Sequence, residues 1–328
     1  MANQPEWMDD YHRLTEGAGY VCLEPAWTDL RVGGTDRAKF LHGLCTNDIR
    51  RLEAGQGCEA FVTQVQGKTL GHGIVLADSD ALWVLGAPGQ ASTLLKHWEF
   101  YHIREDVVMQ DETPAYRTLL VGGQEVVSRL AENGIQLPVR TRYSHVLVET
   151  NVGESRWIWF DPEASVLLAV VAEKDLAKWT EWLEHVGVSA CQVGAWEALR
   201  LELGWPMFGR DIRPENFPQE VGRDALAISF TKGCYLGQET VARIDALGHV
   251  NRVLRGLRWP SDFPCHVDTP YQHQGKIAAF VTSASYSPRL RGTLALGYVR
   301  RAWQEPGSFV PLGDNCSAEV LALPLKPT

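Results

Sequence analysis

The chain has 328 residues, 45% of them apolar and 22% charged. That is too long for one ordinary core, and the composition excludes collagen-like repeats or disorder over most of the length, so two or three folded domains are expected. A formal charge of −9 argues against a phosphate-backbone binder, which needs clustered Lys and Arg. No apolar run reaches the roughly 20 residues that cross a bilayer, and Met1 to Asp10 lack the basic-then-apolar order of a secretory signal. The expectation is a cytoplasmic protein with no membrane partner and no direct nucleic-acid partner.

Thr35 is placed to cap a short helix on which Phe40, Leu41 and Leu44 share a face, with Thr46-Asn47-Asp48 as its exit turn. Strand-like His72–Ala77 and Ala81–Leu85 flank Asp78-Ser79-Asp80, a hairpin signal, and Ser92–Phe100 reads as a helix. Arg117–Val121 predicts a strand and Gln124–Glu132 a helix stopped by Asn133-Gly134. Strands are expected at Ser144–Glu149, Arg156–Phe160 and Val166–Val171, then a helix over Asp175–Val186 and a return strand over Ser189–Val193. That alternation suggests a split β-α-β, ferredoxin-like unit. Ala195–Leu203 is another amphipathic helix, followed by a polar loop from Gly209 to Asp224. Past His249, short alternating strands at Val253–Trp259, Lys276–Thr282 and Leu294–Arg300 between Pro and Gly turns read as a small β-barrel or sandwich. No tandem repeat is visible in the residues.

Seven cysteines are scattered without a C-x-x-C pair, and ten histidines show no H-E-x-x-H, so neither a zinc site nor a stably bound metal is expected. A reducing compartment with free thiols fits this usage. Six of the cysteines sit in apolar or undistinguished contexts, where a free Cys is usually a small buried hydrophobe.

The seventh differs. Cys234 stands in Ser229-Phe230-Thr231-Lys232-Gly233-Cys234-Tyr235-Leu236-Gly237-Gln238-Glu239-Thr240-Val241-Ala242-Arg243, bracketed by two glycines and followed by a helix-like run. Glycine permits turns and close approaches that a Cβ would block. A tight connection before a helix N-terminus, with Lys232 two residues away, would favour a reactive thiolate. A merely packed thiol is the bland alternative.

Lys232-Gly233-Cys234-Tyr235-Leu236-Gly237-Gln238-Glu239 resembles the K-G-C-Y-x-G-Q-E signature of the YgfZ proteins, relatives of the glycine cleavage T protein in the aminomethyltransferase superfamily. The resemblance covers nearly the whole chain. Phe40-Leu41-His42-Gly43-Leu44-Cys45-Thr46-Asn47-Asp48 is similar to the early F-L-x-G-x-x-T-N-D element, and Arg200-Leu201-Glu202-Leu203-Gly204-Trp205-Pro206 to the helix leaving the folate-binding domain. Thr282-Ser283 through Ser287-Pro288 and Leu296-Gly297-Tyr298 are similar to the C-terminal barrel. The implied fold is α+β: two related ferredoxin-like, split βαβ halves (1–115 and 116–248) forming a folate-binding domain, then a small β-barrel (249–328).

The resemblance implies a tetrahydrofolate-type cofactor and a role in maturation or repair of [4Fe–4S] proteins. An indirect effect on tRNA modification would follow, with iron–sulfur assembly proteins and client enzymes as partners. Cys234, with Lys232 and Tyr235, would be the reactive centre and a transient cluster ligand. Glu220 resembles the carboxylate that grips the pterin ring in T proteins, and Trp27 and Trp196 resemble aromatic residues linked to folate binding. Asn47, Gln238 and Arg243 complete the expected ligand set, with Arg210 and Arg223 as further partners for glutamyl carboxylates. One departure bears on activity. Aminomethyl-transferring T proteins carry an acidic pair where Gln66-Gly67-Lys68-Thr69-Leu70-Gly71-His72-Gly73 here places Gly71 and His72. Without that carboxylate, tetrahydrofolate-dependent aminomethyl transfer or demethylation of the T-protein type is the alternative rather than the first expectation.

Overall fold

The computed structural model describes residues 5–248, 250–261, 263–313 and 316–325. Two units with the same order of elements follow one another. The first runs strand Thr28–Gly33, helix Arg37–His42, strands Gln56–Thr63, Thr69–Ala77 and Ala81–Gly86, helix Ala91–Tyr101 and strand Val108–Asp111. The second runs strand Tyr116–Gly122, helix Val126–Glu132, strands His145–Glu149, Glu154–Asp161 and Val166–Ala172, helix Leu176–His185 and strand Ser189–Ala190. Their sheets are laid out alike. The first has the spatial order 56–63, 69–77, 81–86, 28–33, 108–111, and the second 145–149, 154–161, 166–172, 116–122, 19–22, 189–190. The difference is Gly19–Cys22, antiparallel to 116–122 and parallel to 189–190. The two related α+β halves are thus a repeat of topology, interlocked because a strand from the N-terminal residues completes the second sheet.

Burial explains the layering. Ile74, Leu76 and Leu85 of the first sheet meet Leu120, Ile158, Phe160 and Leu168 of the second in a central core that also holds Trp27, Trp196 and Trp205. The sheets therefore pack face to face and the four helices of the two units lie outside. Phe40, Leu41, Leu94 and Trp98 cover one outer face. Val126, Leu130, Trp179 and Leu183 cover the other. Strands buried on both faces read as continuous apolar runs, as Val166–Val171 does.

The expected hairpin forms: Ala77 pairs with Leu82, and the Asp78 amide donates to Ala81 O at 2.8 Å. The expected Thr35 cap does not. Asp36 precedes the helix, and the Thr35 amide and hydroxyl donate to the Asp106 carboxylate at 2.9 and 2.8 Å. A partner 71 residues away outcompetes the local cap.

The C-terminal residues form one curled six-stranded antiparallel sheet in the order 269–273, 276–287, 292–300, 252–258, 317–321, 309–311. It closes around Leu257, Tyr271, Val281, Val299, Val310 and Val320. No helix of the described residues is long and apolar enough to cross a membrane. Helix Val193–Glu202 ties the α/β body to the barrel through a buried polar seam. Arg200, fully buried, donates to Asp211 Oδ2 at 2.9 Å and to Ser283 Oγ at 2.9 Å, while Thr282 and Ser283 donate to Asp211 Oδ1 at 2.7 and 2.6 Å. Two residues on, Glu202 accepts from Tyr11 and Ser287, each at 2.5 Å.

Removing one partner of a buried, hydrogen-bonded ion pair leaves an uncompensated charge. Asp211→Ala is expected to lower the unfolding free energy by about 3–5 kcal/mol, measured by chemical denaturation, because Arg200 stays buried with only the partly exposed Glu197 as counter-charge and the Thr282 and Ser283 hydroxyls lose their acceptor.

Candidate functional site

The segment carrying the cysteine motif lies along residues 42–47 and is pinned at both ends. The Ser229 amide donates to Thr46 O at 3.0 Å, the Leu236 amide to Gly43 O at 2.9 Å, and Thr63 Oγ1 to Leu236 O at 2.6 Å. Between these ties the side chains diverge. Lys232 turns inward, 7% exposed, and its ammonium donates to the carbonyls of His42 and Cys45 at 2.6 Å and of Asn47 at 2.9 Å. Those carbonyls belong to the end of helix Arg37–His42 and its exit turn, where acceptors lack intrahelical partners and positive charge is favoured. The Tyr235 ring covers the ammonium at 4.8 Å. Burial pulls the Lys232 ammonium down to about 8 and pushes the Tyr235 phenol up to about 12.

Cys234, between these two buried residues, is exposed, whereas Cys45 is buried and the other five cysteines are half-buried. Placement of the thiol on a tight connection ahead of a helix, Gln238–Leu247, is as the sequence suggests. The part expected of Lys232 needs correction. Its ammonium is held beneath the loop by three carbonyls, as an anchor for the segment.

Gly237 ends the loop at φ +82°, a conformation in which a Cβ would collide with the Gln64 carbonyl and lie 2.9 Å from Gly67 Cα. Gly67, at φ +77°, is the tip of the 64–68 turn, so the two glycines let the first half's hairpin touch the backbone of the motif.

Gly71 and His72, the residues the resemblance sets against an acidic pair, are both packed. A Cβ on Gly71 would lie 2.7 Å from Leu94 Cδ2. His72, 4% exposed, places Nε2 2.8 Å from Glu59 Oε1, and its ring packs 4.9 Å from Phe61 and 5.1 Å from Trp205. Glu59, fully buried, is also gripped by Arg223, through Nε to Oε1 and through Nη2 to Oε2 at 2.6 Å, and accepts from the Tyr143 hydroxyl at 2.8 Å. Burial alone would raise the Glu59 carboxyl; the Arg223 guanidinium outweighs it and, with His72, holds it well below the usual carboxylate range. Arg223 in turn stacks 5.1 Å over Trp205 and donates to Gly204 O at 2.9 Å.

Residues 26–232 match the GCVT N-terminal domain, and residues 252–325 the glycine cleavage T-protein C-terminal barrel domain. The chain belongs to the GCVT family. It is 26% identical to an aminomethyltransferase of Synechocystis over 85% of this chain and 75% of that protein, and 26% identical to a putative chloroplastic transferase of Arabidopsis thaliana over 90% and 68%. Among solved structures, it shares the fold of the glycine cleavage system aminomethyltransferase T from Bartonella henselae, with TM-score 0.83 at 18% identity, covering 97% of this chain and 89% of that one.

Within this GCVT fold the expected ligand residues are dispersed. Glu220, 8% exposed, accepts from Asn216 Nδ2 at 3.0 Å and faces Arg252 Nε at 3.2 Å, so both its oxygens have partners within the chain. Trp27 and Trp196, 3% and 2% exposed, belong to the central core, Trp196 edge-on to Phe160 at 6.0 Å. Neither indole offers an open face. Asn47 ties the loop to its surroundings, its Nδ2 donating to Glu59 O at 2.8 Å and Leu226 O at 2.9 Å. Gln238 opens the helix after the motif and Arg243 is exposed on it. Arg210 pairs with Glu197 at 2.8 Å. Of the expected set, Arg223 is the residue drawn into the central polar cluster. Glu59 and Tyr143 were not foreseen: Glu59 sits in a strand whose neighbours Ala60, Phe61 and Val62 are all buried, and a lone carboxylate inside an apolar strand was the available signal.

Two outcomes follow. Gly237→Ala is expected to cost about 2–3 kcal/mol of stability, through backbone strain and the collision with Gln64, and to make the motif loop the first site of limited proteolysis. In the unfolded chain the Glu59 carboxyl takes up its proton near pH 4.3, whereas the folded chain holds it ionised, so the unfolded state binds more protons below that pH and stability falls as pH falls. Urea titrations at a series of pH values should show this acid limb in the wild type and a shallower one in Glu59→Gln.

Proposed function

We propose that this GCVT-family chain is a cytoplasmic folate-binding protein of the YgfZ type, which supports maturation or repair of [4Fe–4S] proteins through Cys234 and affects tRNA modification indirectly through those clients. The observation that carries the reading is the exposed thiol on a loop locked by Lys232, while the place of the T-protein acidic pair is sealed by Gly71 and the His72–Glu59–Arg223 cluster. Thiolate sulfur is a soft ligand suited to iron. Among the described residues no group of three or more His, Cys, Asp or Glu could hold a metal, so a cluster would be cargo, held at Cys234 with thiols from a partner.

The seam between body and barrel fits a reduced folate in part. A cleft of about 230 Å³ lies there, lined by Arg223 and Arg255 with Val221, Leu254, Leu296 and Leu321. Its apolar walls suit a ring system; the Arg223 guanidinium is committed to Glu59 and the Gly204 carbonyl, so Arg255 is the cation that suits a glutamyl carboxylate. When bound, the folate supplies a carrier for one-carbon units. For Glu220 to grip a pterin, Arg252 would have to yield its place.

A second reading is tetrahydrofolate-dependent aminomethyl transfer or demethylation, favoured by the names of the aminomethyltransferases among the relatives. In that reading the Glu59–His72 pair would have to replace the absent acid.

The readings separate by experiment. Cys234→Ala in cells that rely on this protein is expected to reduce the activity of cluster-dependent enzymes severalfold while tetrahydrofolate binding by the purified chain is kept. Undiminished cluster enzymes, or turnover of tetrahydrofolate with an aminomethyl donor that survives Cys234→Ala, would favour the second reading.

A further inference from the structure

Of the two glycines that bracket Cys234, the fold demands only one. Gly237, at φ +82°, lies against the Gln64 carbonyl and Gly67. Gly233 is exposed, and its φ lies outside the left-handed region. Beyond the adjacent residues, a Cβ on Gly233 would find a single atom within 4 Å, His42 Nε2 at 3.7 Å, which is an ordinary contact. Neither backbone conformation nor packing therefore requires glycine at 233. What the missing side chain leaves is an open space beside an exposed thiol, with an imidazole nitrogen at its floor.

His42 is held so that this nitrogen faces the space. It is the last residue of helix Arg37–His42 and 8% exposed, and its carbonyl accepts from the Lys232 ammonium at 2.6 Å. Its Nδ1 lies 3.3 Å from Asp48 Oδ1, and Asp48 Oδ2 in turn lies 3.1 Å from Arg51 Nε. A carboxylate beside Nδ1 draws the imidazole proton to that side and leaves the lone pair on Nε2, the arrangement that prepares a histidine to ligate metal. No hydrogen-bonding group of the described residues engages Nε2. A side chain more than nine-tenths buried thus turns its uncommitted nitrogen toward the residue next to Cys234.

We propose that the space over Gly233 seats iron of the cargo cluster, with His42 Nε2 as a second ligand from this chain beside Cys234 Sγ. Thiolate and imidazole both serve as ligands to cluster iron. The exposed Cys234 side chain can turn its sulfur over Gly233, since exposed side chains exchange rotamers freely. The inference rests on the Cys234 reading given above and deepens it: a partner has fewer ligands to supply than it would to a lone thiol.

Cobalt(II) added to the full chain, kept reduced, tests it through the thiolate-to-cobalt charge-transfer absorption. The expected result is a saturable band from one ion per chain that is lost in Cys234→Ser. Affinity should fall at least tenfold in His42→Phe, which keeps a ring without a nitrogen, and in Gly233→Val, whose side chain covers the space. Gly233→Val, on an exposed loop, keeps the test decisive should His42→Phe fail to fold. No cobalt band in the wild type overturns the inference, and so does unchanged affinity in either folded variant. A band that needs Cys234 but ignores His42 overturns it and leaves the Cys234 reading standing. That reading fails separately, through cluster-dependent enzymes undiminished in Cys234→Ala cells.

Discussion

The ammonium of Lys232, buried against the carbonyls of His42, Cys45 and Asn47, is the constraint on which the candidate site depends. A charged group taken out of water is tolerated when its hydrogen bonds are replaced, and here the acceptors are those a short helix leaves unpaired at its end. The lysine closes that helix and fixes the loop above it in one act. Lys232 and Tyr235 both point inward, and the two residues between them, Gly233 and Cys234, are exposed. Gly237 and Gly67 then let the loop run close to the first half's hairpin.

A second constraint is the buried polar cluster around Glu59. Strand Thr69–Ala77 holds Gly71 packed on Leu94 and His72 committed to Glu59. Arg223, arriving from the loop before the motif, neutralises Glu59 and stacks on Trp205. The cluster therefore joins the first half, the second half through Tyr143, and the loop leading into the motif. It holds the motif's approach in place without leaving a free carboxylate at its surface.

Much of this was legible in the residues, and what was not has a physical reason. The octet around Cys234 and the helix after it, the Asp78 hairpin and the Val166–Val171 strand carry their signals locally, and each stands where its spacing placed it. The Glu59 cluster could not be read, since its four members come from positions 59, 72, 143 and 223 and meet only after both sheets are packed. The repeat of topology is hidden for a similar reason: identical strand orders are built from different side chains, and Gly19–Cys22 joins a sheet whose other members begin about a hundred residues later. Lys232 was seen as charge near a thiol, although burial made it an anchor. Trp27 and Trp196 were drawn toward a ligand by resemblance, whereas the central core between the sheets claims both.

The account rests on Cys234 being the thiol that this architecture presents outward. Peptide-resolved mass spectrometry of the native chain during brief iodoacetamide treatment measures that directly. The account predicts that Cys234 is modified well before Cys22, Cys45, Cys58, Cys191, Cys265 or Cys316. Comparable labelling of several cysteines, or a Cys234 that reacts only after denaturation, would contradict it.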